Sequence, residues 1–149
     1  MPDFSLTVET TSNSNILGLI QFLMPAAREC QLIATFLGLP VEASNRDFGR
    51  IVISRISSIG ATNWDTLVPF ELDPSKAASA ISSTTATIEA TANGQLGTEA
   101  DAAMFEVPLG WYDWEKYGIM SGIAQGFCMK RPTAPSGARV VTASLFWRE

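Results

Sequence analysis

Apolar runs in this chain are short, tend to alternate with polar residues at a period of two, and are cut by Pro, Gly or Ser/Thr/Asn clusters before they reach ordinary helix length. Phe4, Leu6 and Val8 alternate with Ser5, Thr7 and Glu9, the pattern of a strand buried on one face, and the polar cluster at residues 10–15 reads as a loop. Residues 16–24 form a continuous apolar run that fits a short helix or a buried strand, with Gly18 and the terminating Pro25 favouring strand. A further run at 31–39 breaks at Pro40. Residues 50–56 place Ile51 and Ile53 on one face, Val52 and Ser54 on the other. After a turn-rich stretch at 57–63, residues 67–72 resume an extended pattern that Asp73 and Pro74 stop. Pro74 and Ser75 open at most one helical turn through Ala80. Thr84, Ala86, Ile88 and Ala90 alternate with Thr85, Thr87, Glu89 and Thr91, and Asn93-Gly94 is a hairpin-turn signal. Short strands follow at 104–107, 123–130 and 138–147, the last two joined through a corner at 132–137.

The pattern predicts an all-β protein, a β-sandwich or jelly-roll-like barrel of roughly eight to ten short strands. Neither a linker nor an internal repeat divides residues 1–149, so a single domain is expected, with residues 1–15 as an extended N-terminal strand or arm. A chain of this size buries roughly 70% of its unfolded surface, enough for a core without disulfides or metals. With 46% apolar and only 17% charged residues, part of its surface is expected to be covered by a partner.

The composition also removes mechanisms. Without histidine there is no Ser-His-Asp or Cys-His pair, no imidazole ligand for zinc and no side chain with an ordinary pKa near neutrality. Cys30 and Cys128 are too few for a four-thiolate site and too far apart in sequence for a Cys-x-x-Cys pair, so both read as buried thiols. There is no Gly-rich phosphate loop, and neither a cofactor nor a metal is expected. A net charge of −5 with scattered basic residues argues against nucleic acid as a partner. The apolar run at 16–27 is too short to span a membrane, and the first ten residues lack the basic start of a signal peptide. A soluble protein made in a cytoplasm is the expectation.

The segment most suited to function is the aromatic cluster Trp111, Tyr112 and Trp114, with Asp113, Glu115 and Tyr117 interleaved. Aromatic rings flanked by carboxylates serve as sugar-stacking platforms. They serve equally as anchors of a protein interface or as a plug at the end of a sandwich. Asp101, Asp113 and Glu115 have no calcium-loop spacing, and they read as solvated loop acids rather than as a glycosidase pair. Gly118, Gly122 and Gly126 read as a turn, a strand start and a bulge.

Four pieces in this order resemble small structural proteins of tailed-bacteriophage virions, of the head decoration or cement type. They are the Leu-x-Pro-x-x-Leu-Asp-Pro run at 67–74, the Ala/Ser/Thr-rich segment through Gly94, the glycine-aromatic segment at 110–114, and the closing element at 131–149 with its Thr-Ala-Pro turn. Together they span about the last two thirds of the chain. The resemblance implies a β-sandwich without enzymatic activity that assembles into homotrimers and attaches to the outer surface of a capsid, with the major capsid protein as partner. In that setting Phe4, Leu6 and Val8 are the expected edge-strand contacts to a neighbour, and Trp111, Tyr112 and Trp114 the expected interface anchors. The alternatives are a carbohydrate-binding or host-recognition β-sandwich and a tail or neck component of the virion.

Overall fold

A computed structural model describes residues 2–12, 18–24, 27–38, 51–58, 65–66, 69–72, 89–94, 98–100, 105–130 and 139–149. These contain the strands β1 (Phe4–Ser12), β2 (Gly18–Leu23), β3 (Gln31–Gly38), β4 (Val52–Ile56), β5 (Asp65–Thr66) and β6 (Phe70–Glu71). The second half adds β7 (Glu89–Gly94), β8 (Phe105–Glu106), β9 (Gly110–Asp113), β10 (Gly126–Lys130) and β11 (Arg139–Arg148). One 3-10 turn, Glu115–Tyr117, follows β9, and there is no α-helix among the described residues.

The strands form two antiparallel sheets, ordered β6-β1-β11-β3-β9 and β5-β7-β2-β10-β4-β8. The fold is therefore the expected all-β sandwich. Alternation along β1 and β11 turns Phe4, Leu6 and Val8, and Val141, Ala143, Leu145 and Trp147, toward the second sheet. That sheet replies with Ile20, Phe22, Ile53, Phe127 and Met129. Trp147 joins the layers, stacking on Phe22 with ring centroids 4.2 Å apart and meeting Phe4 at 5.8 Å.

The six-stranded sheet is buried on its other face too. Gln21, Cys128 and Ser54 lie in one cross-strand row, and all three are fully buried, as is the neighbouring Ile56. This explains why the run at 16–24 has no period in the sequence: a strand covered on both faces has no solvent side to mark with polar residues.

Several boundaries differ from those the sequence suggests. The ladder between β1 and β11 runs on through Thr10↔Val141 to Ser12↔Arg139, where a loop is expected from Thr10. Residues 4–12 are thus an integral strand rather than a free arm, since β1 sits between β6 and β11. Asn93 and Gly94 are the last residues of β7, with Gly94 paired opposite Gly18, rather than a hairpin tip. β9 is a strand that alternation does not reveal. The expected helical turn at 74–80, most of the small-residue strand at 84–91 and the corner at 132–137 lie outside the described residues.

Candidate functional site

The register of β3 with β9 decides what the aromatic cluster does. Ala34, Thr35 and Phe36 pair with Asp113, Tyr112 and Trp111. Successive side chains point to opposite faces of a sheet, so Tyr112 turns toward the core while Trp111 and Asp113 turn outward. Trp114 is buried. Its indole N–H donates to Thr35 Oγ1 at 3.0 Å, its backbone N–H donates to the Ile33 carbonyl at 2.7 Å, and its ring stacks on Phe105 at 4.8 Å. Tyr112 packs on Trp114 at 4.4 Å, and its hydroxyl lies 3.4 Å from that of Tyr117. The three expected anchors therefore separate: Trp114 and Tyr112 close the end of the core, and Trp111 alone stands in solvent, 57% exposed.

The two nearby carboxylates are engaged in holding this turn. Asp113 Oδ1 accepts the Glu115 backbone N–H at 2.8 Å, fixing the chain as it leaves β9. Glu115 pairs with Arg148 of β11, and that hydrogen bond holds its carboxyl below the usual carboxylate range. Gly118 then ends the 3-10 turn in the left-handed region at φ +60°, donating its N–H to the Glu115 carbonyl. Asp101 lies outside the described residues.

Trp111 belongs to a larger surface that the sequence did not single out. On the outer face of the five-stranded sheet one cross-strand row reads Phe70, Ser5, Phe146, Ala34, Asp113, and the next reads Thr7, Ser144, Phe36, Trp111. Trp111 packs against Phe146 with ring centroids 4.8 Å apart. Thr7 Oγ1 and Ser144 Oγ share a hydrogen bond of 2.8 Å. Phe36 and Phe146 are half-buried, and Phe70 is 67% exposed. Asp113 is the sole charge in these two rows. The signal for Phe146 was present, since Leu145, Phe146 and Trp147 are three consecutive large apolar residues in a strand and the middle one must face away from the other two.

Phe4, Leu6 and Val8 do not stand on this surface. All three are buried between the sheets, so the expectation that they contact a neighbour is corrected: they fill the chain's own core. The thiols of Cys30 and Cys128 are buried as well, and loss of solvation pushes each pKa up to about 12. No group of acidic or cysteine side chains able to hold a metal ion occurs among the described residues. A shallow groove of about 390 Å³ is lined by Arg55, Met120, Ser121, Gly122 and Gln125. Arg55 Nε donates to the Met120 carbonyl there at 2.6 Å, which ties its guanidinium to the groove wall. No helix among the described residues is long and apolar enough to cross a membrane.

Comparison with protein-family models, with curated proteins and with solved structures finds no significant match to this chain.

Proposed function

We propose that this chain is a non-catalytic decoration protein of a tailed-bacteriophage head, which binds the outer surface of the assembled capsid as a trimer and bridges its subunits. The observation that carries the reading is the outer face of the five-stranded sheet, where Phe70 and Trp111 stand in solvent beside the half-buried Phe36 and Phe146 and Asp113 is the single charge in two rows. Surfaces of this kind mark association with other macromolecules. The order of the segments at 67–74, 110–114 and 131–149, which resembles that of head decoration proteins, supports the same reading.

Three modest contacts held by one rigid trimer give an avidity that exceeds a single contact by about 10² to 10⁴. A protein that binds only the assembled lattice stabilises that state by mass action. Purified protein mixed with undecorated capsids is expected to pellet with them and to raise the temperature at which they come apart. Protein that stays in the supernatant at micromolar concentration would refute the proposal.

A carbohydrate-binding module is the second reading, favoured by one observation: the exposed Trp111 ring adjoins Phe146 on a face that also carries the Thr7 and Ser144 hydroxyls. Titration with a glycan panel separates the two. Intrinsic tryptophan fluorescence stays flat for a decoration protein and shifts for a sugar platform.

A further inference from the structure

Of the strands that end the two sheets, β5, β6 and β8 are two residues long, whereas β9 has four. Among the described residues no strand lies beyond β9. Its register with β3 continues past the strand itself, where the Trp114 N–H donates to the Ile33 carbonyl at 2.7 Å. Facing residues in an antiparallel ladder alternate between pairs that exchange hydrogen bonds and pairs that do not. Because Trp114 and Ile33 bond directly, the residues of β9 that bond to β3 are Tyr112 and Gly110, opposite Thr35 and Leu37. Trp111 and Asp113 belong to the other set. Their N–H and C=O groups point away from β3 toward the open side of the sheet, and their side chains stand exposed on its outer face.

Open edges are ordinarily shielded by lysine, proline or a bulge. Between Gly110 and Asp113 there is no lysine or proline, and the pairing with β3 runs without a register shift. Trp111 and Leu109 stand 57% and 66% exposed beside these backbone groups. We propose that this edge receives an extended segment of another protein, which adds antiparallel to β9 as a further strand and exchanges main-chain hydrogen bonds with Trp111 and Asp113. Two donor-acceptor pairs about 6.8 Å apart along one line are matched by another strand. The direction follows both sheets, in which every strand pairing is antiparallel. The side chain set opposite Trp111 shares its face and is apolar. The residue two places earlier in the segment lies opposite Asp113 and is basic, because Asp113 forms no ion pair among the described residues and a carboxylate favours a cation across the ladder. Pro108 on one side and the 3-10 turn at Glu115–Tyr117 on the other bound the added ladder. The chemistry is that of the edge alone and is independent of the capsid reading.

The probe is a capped peptide with Lys-Val-Phe at its centre and two threonines on each side, titrated to millimolar concentration into the isotope-labelled full chain and followed by amide NMR. In the free chain the Trp111 and Asp113 amide protons are expected to exchange with solvent about ten-fold or more faster than that of Tyr112, which is bonded to β3. The peptide is expected to shift the Trp111 and Asp113 amide signals downfield and to slow their exchange. Methylating the peptide nitrogens of Lys and Phe, which donate to the Asp113 and Trp111 carbonyls, should weaken binding about ten-fold or more, while methylating that of Val, which points away from β9, should leave it within about two-fold. Asp113→Asn keeps an oxygen to accept the Glu115 N–H and should weaken binding about three-fold, an effect absent for a peptide with Gln in place of Lys. Unmoved Trp111 and Asp113 signals at millimolar peptide overturn the proposal. Equal binding of the three peptides overturns it too, since contact with the Trp111 ring alone does not depend on peptide N–H groups. Loss of binding on methylation at Val alone overturns the antiparallel alignment.

Discussion

Trp147 touches aromatic partners in both sheets, Phe22 across the interlayer space and Phe4 beside it, so its removal opens a cavity where the layers meet. Trp147→Ala is expected to cost about 3–5 kcal/mol in urea unfolding. Its indole N–H has no hydrogen-bond partner among the described residues, and a buried donor without a partner is itself unfavourable. Trp147→Phe should therefore be clearly milder than the alanine change, and equal losses would contradict this account. Gly126 is constrained from the opposite side, because a Cβ there would lie 1.8 Å from the Phe22 carbonyl oxygen on the neighbouring strand. Backbone cannot step aside as a side chain can, so Gly126→Ala should cost about 3 kcal/mol or more and disrupt the pairing of β2 with β10. The buried thiols give a pH dependence of defined sign. In the folded chain Cys30 and Cys128 keep their protons to about pH 12, whereas their ordinary pKa is 9.0. Their contribution is complete below pH 9 and is lost as the pH rises toward 12, because only the unfolded chain releases protons in that window. The slope approaches roughly 1.4 kcal/mol per pH unit for each thiol. Urea midpoints between pH 8 and 10.5 should fall less steeply in Cys128→Ala than in the unaltered chain, and native protein should leave both thiols unreacted toward aromatic disulfide reagents.

At the scale of elements, β1 shows how a correct local reading gives a wrong role. Its alternation was plain, and Phe4, Leu6 and Val8 do share a face; what alternation cannot say is whether that face meets a neighbour or the chain's own second sheet. Because it meets the second sheet, a chain lacking residues 2–12 loses three core side chains and leaves β11 with no partner on one side. Such a truncation is expected to lack a cooperative thermal transition by circular dichroism, and a truncated protein that melts like the full chain would show that β1 is an arm after all. Other elements differ in legibility for physical reasons. β2 lost its period because both of its faces are covered. β9 was hidden because it is four residues long, starts at a glycine and carries an aromatic residue on each face, so there is nothing apolar-against-polar to read. Residues 10–12 read as loop because they are polar, although their backbone continues the ladder to Arg139. The candidate site divides along the same line. The sequence singled out Trp111, Tyr112 and Trp114 as a cluster, but only the register with β3 separates the outward ring from the two inward ones. The partners of Trp111 on the outer face come from β3 and β11, Phe36 beside it and Phe146 against its ring, and that neighbourhood depends on sheet order, which short-range pattern does not encode.

For the molecule as a whole, the decisive pairing is between its first and last strands, from Phe4↔Trp147 to Ser12↔Arg139. The chain must close a loop of nearly its full length before this ladder forms, and closure entropy is spent before any contact in the ladder returns it. Sandwiches dominated by such long-range pairings fold on the order of milliseconds to seconds, far more slowly than helical bundles of similar stability. The same topology binds folding to function. The face that carries Trp111, Phe146 and Phe70 is assembled from β6, β1, β11, β3 and β9, so it exists only once residues 139–149 have joined the sheet. An unfinished chain cannot present it, so the capsid binding proposed for this face would be confined to completed molecules. Stopped-flow refolding from urea, followed by tryptophan fluorescence, should accordingly show its main phase in milliseconds to seconds. A chain ending at residue 138 should show no such phase and bind no capsid. Refolding in microseconds, or a truncated chain that still folds and binds, would mean that β11 docks onto a sandwich already formed without it.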